Sequence, residues 1–267
     1  MNLIIIKRVM YVDNDCFPDH LFFKPDPDVK IWHYMDIVKF LSILDKHALF
    51  FSRTDLHDDP YEGSIPIANL HLKNIEPKCA RSVPFSLLPD TISPHDFVRK
   101  RAYIFSFHMN TAESAALWSI YTKSKQGVAI QSTFSRLCDC FNVYKVEKIR
   151  IGRINYIDYR DQKFDYCIFD NPYLPLIYKR ISFEYEKELR ALIINPKCVS
   201  RIPTSQEELD QNPKGLSVSV DLDILIENIF IAPNSPAWVK EVLTSVLQKY
   251  GINKVPVQSS LDESPII

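Results

Sequence analysis

The chain has 267 residues, 46% of them hydrophobic and 24% charged, with a formal net charge of −1. Those figures suit a globular protein with a substantial core and exclude the strongly basic balance of a general nucleic-acid binder. No apolar run approaches the roughly 20 residues that span a bilayer. The opening MNLIIIKR places its charges after a short oily stretch, the reverse of a secretory signal, so no membrane partner is expected and the cytoplasm is the expected location.

Six cysteines show no CxxC spacing, and Cys138 and Cys140 stand too close for a zinc knuckle, so they read as structural thiols. Only five glycines occur, well below the average usage of about 7%. Walker loops and GxGxxG turns need clustered glycines, and GxSxG needs a close pair; all three are excluded, as is HExxH. A nucleotide bound here is held without a glycine-rich cradle.

In chain order, residues 3–6 and 9–12 read as short strands and Lys30–Tyr34 as another. Asp36 caps an amphipathic helix carrying Ile37, Phe40, Leu41 and Leu44. Ala48–Ser52 is a strand, followed by a polar turn over Arg53–Gly63. Residues 64–92 are irregular; Ser93-Pro94 then starts a helix that ends near Arg101. Tyr103–Phe107 alternates as a half-buried strand does, and Asn110 with Glu113 has capping-box spacing for a helix presenting Leu117, Trp118 and Tyr121. Strand Val128–Gln131, helix Phe134–Phe141 and two strands within Val143–Ile157, broken near Gly152, follow. Residues 158–181 read as mostly helical and 200–215 as loop. Strands at Leu216–Val220 and Asn228–Ile231 flank a short helix. Ser235-Pro236 caps a last helix with a Val239, Val242, Leu243, Val246, Tyr250 stripe that Gly251 closes. These elements predict one α+β domain over 1–267, a central mixed or split, mostly antiparallel sheet flanked by helices.

The segment Lys179–Ile194 concentrates charge within an apolar run. As a strand it would put Glu186, Glu188 and Arg190 on one face and Leu189, Ala191 and Ile193 on the other, a pattern worth burying only if the charged face meets a cleft. Two carboxylates roughly 7 Å apart repel by about 2 kcal/mol at an effective dielectric near 20. Arg190 offsets this for Glu188 and leaves Glu186 the acid with the raised pKa. The spacing fits a helix equally well, with Ser182 as cap and Glu186 and Arg190 as an i, i+4 pair.

Two further groups carry candidate chemistry. Asp55, His57, Asp58, Asp59 and Glu62 crowd one turn after a strand, where they would hold a divalent metal or a ligand hydroxyl, or simply serve the turn. All seven histidines precede residue 109, so any imidazole chemistry, including that of His33, belongs to the first half.

Several motifs together resemble the bacterial family known as domain of unknown function 2971. They are His33-Tyr34 before a helix, FSRTDLHDDPYEG at 51–63, FSFHMN at 105–110, ESAALWSIYTKSKQGVAI at 113–130, KRISFEYEKELRALI at 179–193, IFIAPNSP at 229–236 and Ser-Ser-Leu at 259–261. Asp58 stands where the family usually has Asn. Their order is similar to the ADP-ribosyltransferase layout, with Glu186-x-Glu188 resembling the ExE pair of arginine-directed members. That resemblance implies NAD as substrate, an ADP-ribosyltransferase-like fold, and an unknown macromolecular acceptor beside the nucleotide. It implies that His33 bonds a ribose hydroxyl and that Tyr34 or Tyr121 stacks on nicotinamide. Glu188 would hold the 2′-hydroxyl and stabilise the oxocarbenium-like state, and Glu186 would orient or deprotonate the acceptor. Arg53 or Arg180 would meet the pyrophosphate, with Ser52 and Arg190 also in the nucleotide site; no metal is favoured. Rival expectations are a metal-dependent nuclease or phosphoesterase using the 55–62 turn, and a non-catalytic ligand- or partner-binding protein.

Overall fold

The computed structural model describes residues 22–64, 66, 88–122, 126–161, 174–194 and 203–264. The strands expected at 3–6 and 9–12 lie outside these residues. In chain order the elements are β1 (Lys30–Asp36), α1 (Ile37–Lys46), β2 (Ala48–Arg53), α2 (Pro94–Arg99), β3 (Ala102–Met109), α3 (Ala115–Tyr121), β4 (Gly127–Thr133) and α4 (Phe134–Cys140). Then come β5 (Arg150–Arg153), β6 (Asn155–Ile157), β7 (Tyr178–Arg180), β8 (Glu188–Ile194), α5 (Gln206–Asp210), β9 (Gly215–Ser219), α6 (Leu222–Leu225), β10 (Asn228–Ile231), α7 (Ala237–Lys249) and β11 (Val257–Gln258).

The main sheet runs β11-β10-β4-β1-β3-β2-β9, with β8 paired along β3 and β5 along β8. Every pairing in it is antiparallel except β10 with β11, and β6 and β7 form a separate parallel pair. This is the α+β, mostly antiparallel architecture expected from the sequence.

The sheet is split on one edge of β3. Its other edge is filled by β8 from Ala102 to His108. On the split edge β1 pairs only with His108 and Met109, and β2 only with Tyr103 and Ile104. Across Phe105–Phe107 the two strands part, because α1 joins them and packs Phe40, Ile43 and Leu44 into the core beside the opening. One face of the sheet carries the largest core cluster, including Phe105, Phe107, Leu189, Ala191 and Ile193. The other face holds two smaller clusters, one around Ile104, Leu192, Leu174 and Leu176, the other around Trp32, Tyr34, Leu117 and Trp118. Directly opposed residues share a face, so Ser106, His108, Glu188 and Arg190 form a polar band between them.

Several expectations change. Lys179–Ile194 is neither one strand nor one helix: Tyr178–Arg180 pairs with β6, Ile181–Glu186 forms a 3-10 helix, and Lys187 is left-handed (φ 39°) before β8 starts at Glu188. Pairing decides this, since β3 offers its edge only from His108 onward. Within 158–181 the described residues 174–180 form a 3-10 turn and a strand rather than a helix. The expected loop at 200–215 contains α5, where Ser205 and Glu208 supply N-capping contacts that the polar composition masked. Helix α3 is capped by Ser114, not Asn110; Glu113 instead accepts from the Trp118 indole and from Ser260. Pro236 occupies the cap position of α7, and its buried stripe is Val239, Leu243 and Leu247, with Val242 exposed. Cys138 and Cys140 are free thiols.

Candidate functional site

A cavity of about 580 Å³ opens where the sheet splits. Its wall includes His33 and Tyr34 from β1, Ser52 from β2, Ser106 and His108 from β3, Tyr121 from α3, Lys179, Glu186, and Glu188 and Arg190 from β8. Residues more than 150 positions apart in sequence thus share one hollow.

Glu188 is the centre of an ion network. Its Oε1 accepts from Arg190 Nε at 2.7 Å and from the Ser106 hydroxyl, and its Oε2 lies 3.3 Å from Lys179 Nζ. Lys179 also pairs with Glu186 Oε2 at 2.5 Å, and Arg190 with Glu62 and the Leu176 carbonyl. Burial alone would raise the Glu188 pKa. Arg190, Lys179 and the Ser106 hydroxyl outweigh it and hold the carboxyl well below the usual range. The Glu186 pKa is raised, burial exceeding the pull of Lys179. The direction matches the sequence reading; the main cause is desolvation, with the other glutamate a smaller contributor. Two carboxylates in one cavity therefore hold different affinities for a proton.

His33 sits in the split, its ring 4.3 Å from Phe105 and 5.5 Å from Phe107 between centroids. Its Nδ1 lies 2.9 Å from the Ser106 carbonyl, which can only accept, so Nδ1 carries the proton and takes the place of a missing ladder bond. Burial lowers the ring pKa to about 4. A neutral imidazole with an accepting Nε2 is the result. His108 is held likewise: Nδ1 donates to the Glu186 carbonyl at 2.6 Å, while Nε2 is buried with no hydrogen-bond partner among the described residues.

Other site residues expected from the sequence are placed as follows. Tyr34 is buried against Trp118 with its hydroxyl accepting from Ser114 N–H at 2.9 Å. Tyr121, one turn beyond Trp118, is 45% exposed and faces the cavity. Ser52 lies 2.8 Å from His57 Nε2, toward the Glu62 end. Arg53 and Arg180 are off the cavity wall: Arg53 is bound to Asp55 and the Asn212 carbonyl, and Arg180 to Asp59 at 2.7 Å. The acidic turn is thereby distributed. Asp55, Asp59 and Glu62 each serve a different arginine, and among the described residues no three His, Cys, Asp or Glu side chains converge as a metal site.

Sequence reasoning passed over four contributors. Ser106 was readable only as the small residue of a YIFSF strand, and Lys179 only as the first letter of the charged segment. Lys39 and Lys46 sit at i and i+7 on α1, and both line the cavity beside exposed Phe50. The wall of the hollow thus carries three carboxylates (Glu62, Glu186 and Glu188) with two paired cations, and two exposed lysines of α1.

These features define a mixed α/β protein with a charged cleft through a split sheet. Residues 117–191 match the family model described as Protein of unknown function (DUF2971). The match overlaps the motifs at 113–130 and 179–193 and leaves the others outside it. No curated protein matches the chain. Among solved structures, Thermus sp. 2.9 DarT in complex with ADP-ribosylated ssDNA is similar at 14% identity and a TM-score of 0.36, over 89% of this chain and 95% of that one. The same protein in complex with NAD+ gives 13% identity and a TM-score of 0.36, over 88% and 96%. At such scores the site has to be read from its own geometry.

Proposed function

We propose that the cleft binds NAD+ and that the chain cleaves the nicotinamide–ribose bond, passing ADP-ribose to a macromolecular acceptor or to water. The observation that carries this reading is Glu188, buried on the cavity wall among Arg190, Lys179 and the Ser106 hydroxyl. As nicotinamide leaves, positive charge develops on the ribose, and a fixed anion in a water-poor site stabilises that charge most. Glu188 Oε2, whose partner is Lys179 at 3.3 Å, has capacity left for the ribose 2′-hydroxyl. The His33 Nε2 accepts from a second hydroxyl, and Tyr121 supplies a face for the nicotinamide ring. Glu186, with its raised pKa and an unpartnered Oε1 among the described residues, takes the proton of the attacking group. Lys39 and Lys46 meet the pyrophosphate, a role that the sequence reading gave to Arg53 or Arg180.

The test is nicotinamide release from NAD+, with water and with candidate macromolecules as acceptors. Glu188→Gln keeps the shape and removes the charge, and should cost roughly 10²–10³-fold in rate while calorimetric NAD+ affinity stays within several-fold. A wild-type protein that neither binds nor consumes NAD+ would end this reading.

A further inference from the structure

Phe50 is an exposed aromatic with a prepared seat. Strand alternation sends Leu49 and Phe51 into the core and leaves Phe50 56% exposed on the opposite side. It nevertheless lines the cavity that holds Glu188. Beneath it is Gly215, one of five glycines in the chain. A Cβ there would lie 2.1 Å from Phe50 Cζ and 2.6 and 2.7 Å from Cε1 and Cε2. Those distances put the Cβ above the tip of the ring, out of its plane. The absent side chain therefore leaves room for the tip of the Phe50 ring over Gly215, with more than half of the residue exposed.

We infer that Phe50, seated on Gly215, is the stacking platform for the purine ring of the dinucleotide, an inference that rests on the NAD+ reading of this cleft. Ser52 is opposite Ile104, which sets Phe50 level with Ser106, and Glu188 is opposite His108. Two strand spacings across and two residues along separate Phe50 from Glu188 by roughly 12 Å between Cα atoms, more where β2 parts from β3. Two riboses and a pyrophosphate bridge such a distance, and Lys39 and Lys46 line the same hollow. A flat, sequence-tolerant apolar face suits a purine, since every base has a π-face to offer.

The experiment titrates ADP-ribose and nicotinamide mononucleotide separately into wild-type protein, Phe50→Ala, Phe50→Trp and Gly215→Ala, with thermal melts to confirm folding. Phe50→Ala should weaken ADP-ribose by roughly 5- to 100-fold, the range for loss of one base–aromatic stack, and leave nicotinamide mononucleotide unchanged. Phe50→Trp should retain ADP-ribose affinity. Gly215→Ala, by lifting the ring off its seat, should mimic Phe50→Ala with the aromatic residue still present. Unchanged ADP-ribose affinity in Phe50→Ala overturns the inference while leaving the NAD+ reading intact, and so does an equal loss for both ligands. Wild-type protein binding neither ligand overturns the underlying reading and this inference with it.

Discussion

His33 and Glu188, from strands that do not pair with each other, meet at opposite ends of one residue. The Ser106 carbonyl accepts from His33 Nδ1, and the Ser106 hydroxyl donates to Glu188 Oε1. The same serine thus fixes the tautomer of the one, leaving its Nε2 to accept, and adds a hydrogen bond to the carboxylate of the other, and the split in the sheet exists at the point where that serine stands. The hydroxyl acts on Glu188 alone, which separates its contribution from that of the carbonyl.

Ser106→Ala should therefore lower kcat for nicotinamide release about tenfold and leave KM nearly unchanged. A hydrogen bond to a charged group is worth about 1.5–3 kcal/mol, and Arg190 retains part of the orientation. His33 keeps its carbonyl partner, so the acid limb of the pH–rate profile should stay in place. A shift of that limb would show that the serine acts on both residues together.

Arg190 carries the stability of this region. It is 2% exposed and bonded to Glu188, Glu62 and a backbone carbonyl. Arg190→Met leaves two buried carboxylates without their main partner, and breaking such a pair typically costs about 3–5 kcal/mol. Urea denaturation should show that loss. Glu62→Gln, which keeps the hydrogen bond and removes one charge, should cost clearly less.

The sequence made the sheet class and most elements legible because alternation and caps are local. Asp36, Ser93 and Gly251 cap or close helices where expected, and Glu188 and Arg190 share a strand face as their spacing required. Glu186 was misplaced because the start of β8 depends on the edge that β3 offers, a long-range pairing with no local signal. Arg53 and Arg180 were nominated by charge alone. Which carboxylate captures each arginine is decided by how the 55–62 turn folds back, and composition cannot report that. Ser106 was missed for the converse reason: as a small polar residue in an aromatic strand it gains meaning only when β8 is laid beside it.

His33 gives a pH dependence of definite sign. Its folded pKa, about 4, lies below the ordinary value of 6.5. Between these values the unfolded chain binds more protons than the folded one, so stability rises with pH across that window and is lost as pH falls from 6.5 toward 4. Burial lowers His57, His95 and His108 in the same direction. Equilibrium unfolding at pH 7.5, 6 and 5 should show decreasing stability, and His33→Asn should flatten the slope without abolishing it. A slope identical to wild type would mean that His33 titrates normally in the folded protein.

The two lysines of α1 on the cavity wall separate two assignments of the pyrophosphate. Lys46 forms no ion pair among the described residues, and Lys39 has only Asp36 at 3.8 Å. Both are exposed, so their attraction for a ligand phosphate is screened by salt over about 8–10 Å. Arg53 and Arg180 are already neutralised by Asp55 and Asp59, and moving either to a ligand would strand a carboxylate, Asp59 being buried. Lys39→Ala and Lys46→Ala should each raise KM for NAD+ several-fold at low salt, with kcat little changed and the effect shrinking as ionic strength rises. Arg53→Ala should lower the melting temperature and leave KM close to wild type, since the lost contacts are to Asp55 and the Asn212 carbonyl. The reverse pattern, with KM rising in Arg53→Ala and unchanged in both lysine variants, would return the pyrophosphate to the arginines and require the 53–62 turn to rearrange on binding.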